Sequence, residues 1–338
     1  MLRLPRFDYL APHTLDEAVA MLAAHQEEAM LVAGGTDVYP GMKRRLFTPH
    51  TLIGLHRLTT LKHLDVNDGL TLGSGLTLAQ LAAHPLIVRD YAALAMAASV
   101  VSTPQLRHMG TLGGNLCLDT RCTYYNQTEP WRQALGYCLK KDGEVCWVAP
   151  GSTRCWAVHA SDLAPVLIAL GASVRLVGPV GERWVPVQAL YHNDGIHYLS
   201  KSPSEILTDI HLPVANGLRM TYKKLRRRGA FDFPVLSMAI ALRQEEDGTC
   251  TAAHIVLGAV GSSPMQATEA EAVLIGAKIN HAVIAAAAQQ AFQTAKPLDN
   301  TDMGYAYRKQ MVRVYVARAL HEVSQVHGET GRESNEYS

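Results

Sequence analysis

Apolar residues recur at helical spacing over residues 15–24, where Thr14 can cap the helix and Glu17, three residues on, completes a capping box. A short apolar run, Met30-Leu31-Val32-Ala33, reads as a strand entering the turn Gly34-Gly35-Thr36-Asp37. The pattern then predicts a strand over 51–55 and a hairpin turning at Asn67-Asp68-Gly69. A short helix capped by Thr77 and a longer one over 87–101 follow. Thr111-Leu112-Gly113-Gly114-Asn115 leads into a stretch without clear period, after which 163–170 reads as a buried helix and 173–177 as a strand. Pro, Asn and Gly over 213–218 interrupt the pattern and mark a boundary. Past it, strands over 235–242 and 251–260 flank an Asp247-Gly248 turn, and helices are expected over 266–275, 282–295 and 305–323. Residues 326–338 are polar and expected to be a disordered tail. Two small mixed subdomains, then a separate sheet-and-helix domain, make an α+β chain.

Composition narrows the function. At 338 residues the chain can hold two or three domains with sizeable cores. A formal net charge of +1 argues against a nucleic-acid partner. The opening MLRLPRFDYLAPH has no apolar run suited to a signal peptide, and no 18-residue apolar stretch suggests a membrane span. The expectation is a cytoplasmic protein with reduced thiols.

That expectation bears on the cysteines. Five of the six, Cys117, Cys122, Cys138, Cys146 and Cys155, fall in one stretch, with three of the four tryptophans. Clustered cytosolic cysteines point to a metal or to redox chemistry. The gaps Cys122-x15-Cys138-x7-Cys146-x8-Cys155 match neither a compact ferredoxin nor a C-x2-C zinc pattern. Structural zinc, an iron–sulfur cluster and inert buried thiols all remain open on spacing alone. Trp131, Trp147, Trp156, Tyr124, Tyr125 and Tyr137 could wall off a cluster from water.

The two Gly-Gly loops admit two readings, a phosphate cradle of backbone N–H groups or plain tight turns. A pair of them in one domain would suit a pyrophosphate held from both sides. The basic run from Arg219 to Arg228 reads by default as a solvated or subunit-contacting face, with Lys224 as the residue able to reach a cofactor. The histidines stand singly, and no Ser/His/Asp order, paired-carboxylate spacing or HExxH motif indicates a hydrolase.

In order along the chain, Ala33-Gly34-Gly35-Thr36-Asp37, Thr111-Leu112-Gly113-Gly114-Asn115, Ser161-Asp162-Leu163-Ala164-Pro165 and Phe231-Asp232-Phe233-Pro234 resemble the motifs of the molybdenum hydroxylase flavoprotein subunits. That family includes the medium subunit of aerobic carbon monoxide dehydrogenase and the flavin domain of xanthine dehydrogenase. The likeness runs from about Pro5 to about Val323 and includes the helix around Tyr307-Arg308. It implies a two-subdomain FAD-binding domain of the PCMH (VAO-like) type over 1–215, split near 55–60, and a C-terminal antiparallel-sheet-plus-helices domain over 216–325. It further implies FAD contacts from Leu31, Val32, Ala33, Gly34, Gly35, Thr36, Asp37, Thr111, Gly113, Gly114, Asn115, Asp162 and Lys224. Asp37 stands where other members have serine or glutamate.

Ordinary members pass almost directly from the Gly-Gly-Asn segment to the Asp-Leu segment, whereas about forty residues are inserted here. An insert over 117–159 is similar to that of the β subunit of 4-hydroxybenzoyl-CoA reductase, which carries a [4Fe–4S] cluster. By position, the resemblance assigns the cluster to Cys122, Cys138, Cys146 and Cys155 and leaves Cys117 spare. It also implies partners: a large molybdopterin subunit, a small subunit with two [2Fe–2S] clusters, a dimer of heterotrimers, and ferredoxin as electron donor. No residue of this chain is then expected to touch the substrate. The rival expectations are an ordinary hydroxylase acting on a purine, an aldehyde or an N-heterocycle, with electrons leaving through the flavin, and a zinc-stapled assembly module.

Overall fold

The computed structural model describes residues 2–215 and 217–324. The tail expected over 326–338 lies outside the described residues. Three sheets succeed one another along the chain. The first is parallel, with Thr51–Gly54 between Asp8–Leu10 and Ala29–Val32. All four residues of its central strand are buried, as expected for a strand covered on both faces. The helix Leu15–His25 turns Ala18, Val19 and Leu22 toward Ile53 and Leu58. Thr14 caps it through the Glu17 amide, but the Glu17 carboxylate accepts from the His13 amide at 2.8 Å. The reciprocal bond of the expected capping box is therefore displaced by one residue.

The second sheet has five antiparallel strands in the order Leu64–Asn67, Gly69–Gly73, Ile206–Leu212, Ser173–Gly178 and Gly181–Pro186. Its largest core gathers Leu72, Leu94, Leu112, Leu116, Leu167 and Ile210, each at 0% exposure. Burying each such side chain contributes about 1.5–3 kcal/mol. The single helix expected over 87–101 is instead two, Pro85–Asp90 and Ala92–Ser99. Tyr91 leaves helical geometry between them and donates its hydroxyl to the Pro213 carbonyl, 2.9 Å away.

The third sheet is antiparallel, in the order Met265–Gln266, Cys250–Gly258, Leu236–Gln244 and Arg219–Leu225. The helices Thr268–Leu274, His281–Thr294 and Tyr305–Ser324 share its core through Leu274, Ala287, Val312 and Leu320. Arg308, at 0% exposure, donates to the carbonyls of Val235, Leu298 and Ala259 and so stitches the last helix to the sheet. Five strands escaped the sequence pattern: Asp8–Leu10, Gly181–Pro186, Ile206–Leu212, Met265–Gln266 and Arg219–Leu225. The last contains much of the basic run, so that segment is a sheet strand rather than a free charged face.

Candidate cofactor sites

The two glycine loops meet. The first leaves the parallel sheet at Val32, and a Cβ on Gly34 would collide with the Met109 carbonyl, immediately before the second loop. Gly35 has φ +70, a left-handed conformation that favours glycine, and any side chain there would strike the Tyr39 ring. Thr111 caps the helix Leu112–Leu116 by accepting from the Gly114 amide at 3.1 Å. Gly113 lies against Ser74, to whose carbonyl its amide donates at 2.8 Å. Close backbone approach from both sides is what a pyrophosphate cradle requires. Leu31 and Val32 lie in the strand, with Ala33 just beyond it.

The third motif joins the second through Asn115, whose side-chain oxygen accepts from the Ser161 hydroxyl at 2.6 Å and the Leu163 amide at 3.2 Å. Asp162 is buried there and accepts from the Tyr222 hydroxyl at 2.6 Å and from Lys224 Nζ at 3.0 Å. Lys224 also donates to the Val100 carbonyl. Burial raises the Asp162 carboxyl and lowers the Lys224 ammonium from their ordinary values, while the pair itself opposes both shifts. Tyr222 and Lys224 stand on the first strand of the C-terminal sheet, so the contact ties the two domains together. Asp37 is engaged from an unexpected direction: Arg121 donates to its carboxylate at 3.0 Å. Arg121 also covers the Phe233 ring, 3.8 Å from its centroid.

Arg121 opens the insert. Its amide donates to the Val158 carbonyl at 2.8 Å and the Val158 amide returns the bond at 2.7 Å, closing a stem. Inside it, left-handed backbone at Gly136, Tyr137 and Asp142 makes tight turns around Cys138, and the Leu139 amide donates to Val145. The consequence is convergence. Cys122, Cys138, Cys146 and Cys155 are all buried and all line one small pocket.

Tyr124, Tyr125, Leu139, Trp147, Val148 and Ala157 complete most of the wall. The other three expected wall aromatics do not line it. Trp131 is 41% exposed, Trp156 packs under Arg154, and Tyr137 donates to Glu129. Cys117 packs instead against the core of the second sheet. Gly195 approaches closely, so a Cβ there would lie 2.6 Å from the Cys155 sulfur.

Burial pushes the Cys122 thiol up to about 12 and Cys155 up to about 11. Neither is a reactive thiolate by itself; a metal would have to draw off the proton. Backbone amides aim at the sulfurs, as from Ala157 to Cys155 at 3.3 Å. Among the described residues, no group of three or more His, Cys, Asp or Glu side chains is arranged to hold a single metal ion. A tetrahedral zinc would draw four sulfurs to within roughly 3.8 Å of one another.

Sequence reasoning missed Arg121, Asp119 and Lys140, because a lone charged residue in an aperiodic insert carries no pattern. His159, set aside as structural, is 1% exposed, and burial lowers its ring to about 3, so it stays neutral.

Residues 5–215 match the FAD binding domain in molybdopterin dehydrogenase, and residues 220–323 match the CO dehydrogenase flavoprotein C-terminal domain. The aldehyde oxidoreductase FAD-binding subunit of Escherichia coli (strain K12) is 31% identical over 79% of this chain and 86% of its own length. The carbon monoxide dehydrogenase medium chain of Afipia carboxidovorans is 29% identical over 93% of this chain and 95% of its own. Among solved structures, carbon monoxide dehydrogenase from Hydrogenophaga pseudoflava superposes with a TM-score of 0.79 at 26% identity, covering 95% of this chain and 98% of that one. No described helix is long and apolar enough to cross a membrane. With both of its domains matched in order, the chain belongs to the FAD-binding medium subunits of the carbon monoxide dehydrogenase and xanthine dehydrogenase family of molybdenum hydroxylases.

Proposed function

We propose that this subunit carries two cofactors, FAD and a [4Fe–4S] cluster, and passes electrons between an external donor and the molybdenum-bearing part of a larger complex. The observation that carries the proposal is the convergence of Cys122, Cys138, Cys146 and Cys155 on one cavity. When bound, the cluster supplies one-electron transfer and FAD supplies the exchange between one- and two-electron steps.

The chain's own residues bind and shield. Residues 31–37 and 111–115 hold the flavin pyrophosphate, with Asp162 and Lys224 as further contacts from the domain seam. Tyr124, Tyr125 and Trp147 keep water from the cluster. Arg121 is part of the stem and holds Asp37, so it keeps the first flavin loop against the cluster module. The partners that fit are a large molybdopterin subunit and a small subunit with two [2Fe–2S] clusters, in a dimer of heterotrimers. The setting that fits is the cytoplasm.

The substrate reaction that the insert favours is reductive. In that reaction 4-hydroxybenzoyl-CoA takes two electrons and two protons, loses its phenolic oxygen as water and leaves benzoyl-CoA. Dehydroxylating an aromatic ring needs electrons of low potential, and a one-electron centre beside the flavin gives reduced ferredoxin a point of entry. One observation favours a second, oxidative reading: the 31% identity to an aldehyde oxidoreductase subunit. The anaerobic complex separates them. Benzoyl-CoA formed from 4-hydroxybenzoyl-CoA with reduced ferredoxin is the expected result. Flavin bleaching by an aldehyde, with no benzoyl-CoA formed, would replace the reductive assignment by the oxidative one.

A further inference from the structure

The wall of the four-thiol cavity contains a buried cation. Lys140 lines the cavity two residues after Cys138, and its side chain is only 6% exposed. Its ammonium donates to Asp119 Oδ1 at 2.6 Å, Thr120 Oγ1 at 2.5 Å and the Gly195 carbonyl at 2.6 Å. That uses all three of its donors. The same ammonium lies 4.7 Å from the Tyr125 ring centroid and 5.2 Å from that of Tyr198. Asp119 is not part of the cavity wall, and its second oxygen accepts from the Tyr125 hydroxyl at 2.9 Å.

The arrangement is a buried ion pair of which Lys140 belongs to the cavity wall and Asp119 does not. Taking an ammonium out of water is costly, and an apolar side chain could fill the same space. A charge kept there acts on whatever occupies the cavity, over a short distance and in a low dielectric.

We propose that Lys140 and Asp119 set the reduction potential of the bound cluster, Lys140 raising it and Asp119 tempering the rise. This rests on the [4Fe–4S] assignment above. A cubane held by four thiolates is anionic, and reduction adds a further negative charge. With Lys140 in the wall and Asp119 outside it, the cation stabilises the reduced form more than the carboxylate destabilises it.

The test is an EPR-monitored redox titration of the anaerobically purified full-length chain and the variants Lys140→Met, Lys140→Arg and Asp119→Asn. Lys140→Met is expected to lower the reduction equilibrium constant about tenfold, or about 59 mV for a one-electron couple. Lys140→Arg should restore the midpoint to near that of the parent. Asp119→Asn should move it the opposite way, upward, which a merely structural role would not do. An unchanged midpoint in Lys140→Met, or shifts of the same sign in Lys140→Met and Asp119→Asn, would overturn the proposal. If Lys140→Met fails to fold, Asp119→Asn decides: a higher midpoint supports the proposal and an unshifted one sinks it. A parent chain with no cubane signal would instead defeat the cluster assignment on which the proposal stands.

Discussion

Replacing Cys138 with serine is expected to remove about four irons and four sulfides per chain while FAD remains bound. Cys138 sits in a tight loop whose amide and carbonyl pair with Lys141, and its side chain points into the shared cavity. Serine fits the space but does not offer the thiolate that iron–sulfur clusters require. Retention of FAD follows from where the contacts lie. The two glycine loops are joined by Gly34 against Met109, and the second is held to the Asp162 segment by Asn115; neither link runs through the insert. The stem reaches the first loop through the side-chain bond from Arg121 to Asp37, and Arg121 lies outside the cavity wall. Iron, sulfide and flavin assays on the purified variant check this. Simultaneous loss of flavin would show that the insert is essential to the FAD domain and would contradict its modularity.

Gly34→Ala is expected to fold poorly and to retain less than about a tenth of the FAD. The new methyl group would meet the Met109 carbonyl, which is backbone and cannot rotate away. Overpacking of this kind costs about 3 kcal/mol, the upper part of its usual range. Relief would require residues 34 and 109 to separate, which would open the cradle between the glycine loops. Gly151→Ala is the matched control, because nothing lies within 4 Å of its added Cβ. Thermal unfolding and flavin content, measured side by side, test the pair. A Gly34→Ala chain with parental stability and full FAD would remove this loop from the flavin site.

Much of the fold was legible because burial follows the apolar pattern. The capping residues Thr14 and Thr77 each accept the expected amide. Two of the failures share a cause, which is a polar side chain whose partner is distant in sequence. Arg219–Leu225 reads as a charged face until Lys224 is placed on Asp162 and Lys223 on Glu322. The apolar run over 87–101 reads as one helix because only the Tyr91-to-Pro213 bond, 122 residues apart, marks the break.

The cysteines illustrate the same limit. Their spacing alone left zinc, iron–sulfur and inert thiols open, since convergence depends on the Arg121–Val158 stem and the left-handed turns near Cys138. Resemblance supplied the ligand set that spacing withheld, and the shared cavity brings those same four residues together. It did not point to Arg121 or Lys140, whose significance lies entirely in what they touch.

The central claim is that the insert holds an iron–sulfur cubane beside a flavin. Iron, zinc and acid-labile sulfide per FAD, measured on the anaerobically purified full-length chain with an EPR spectrum after dithionite reduction, test it most directly. The account predicts about four irons and four sulfides per FAD, with a reduced-cubane signal. Zinc without sulfide would contradict it and leave a flavoprotein with a metal-stapled loop.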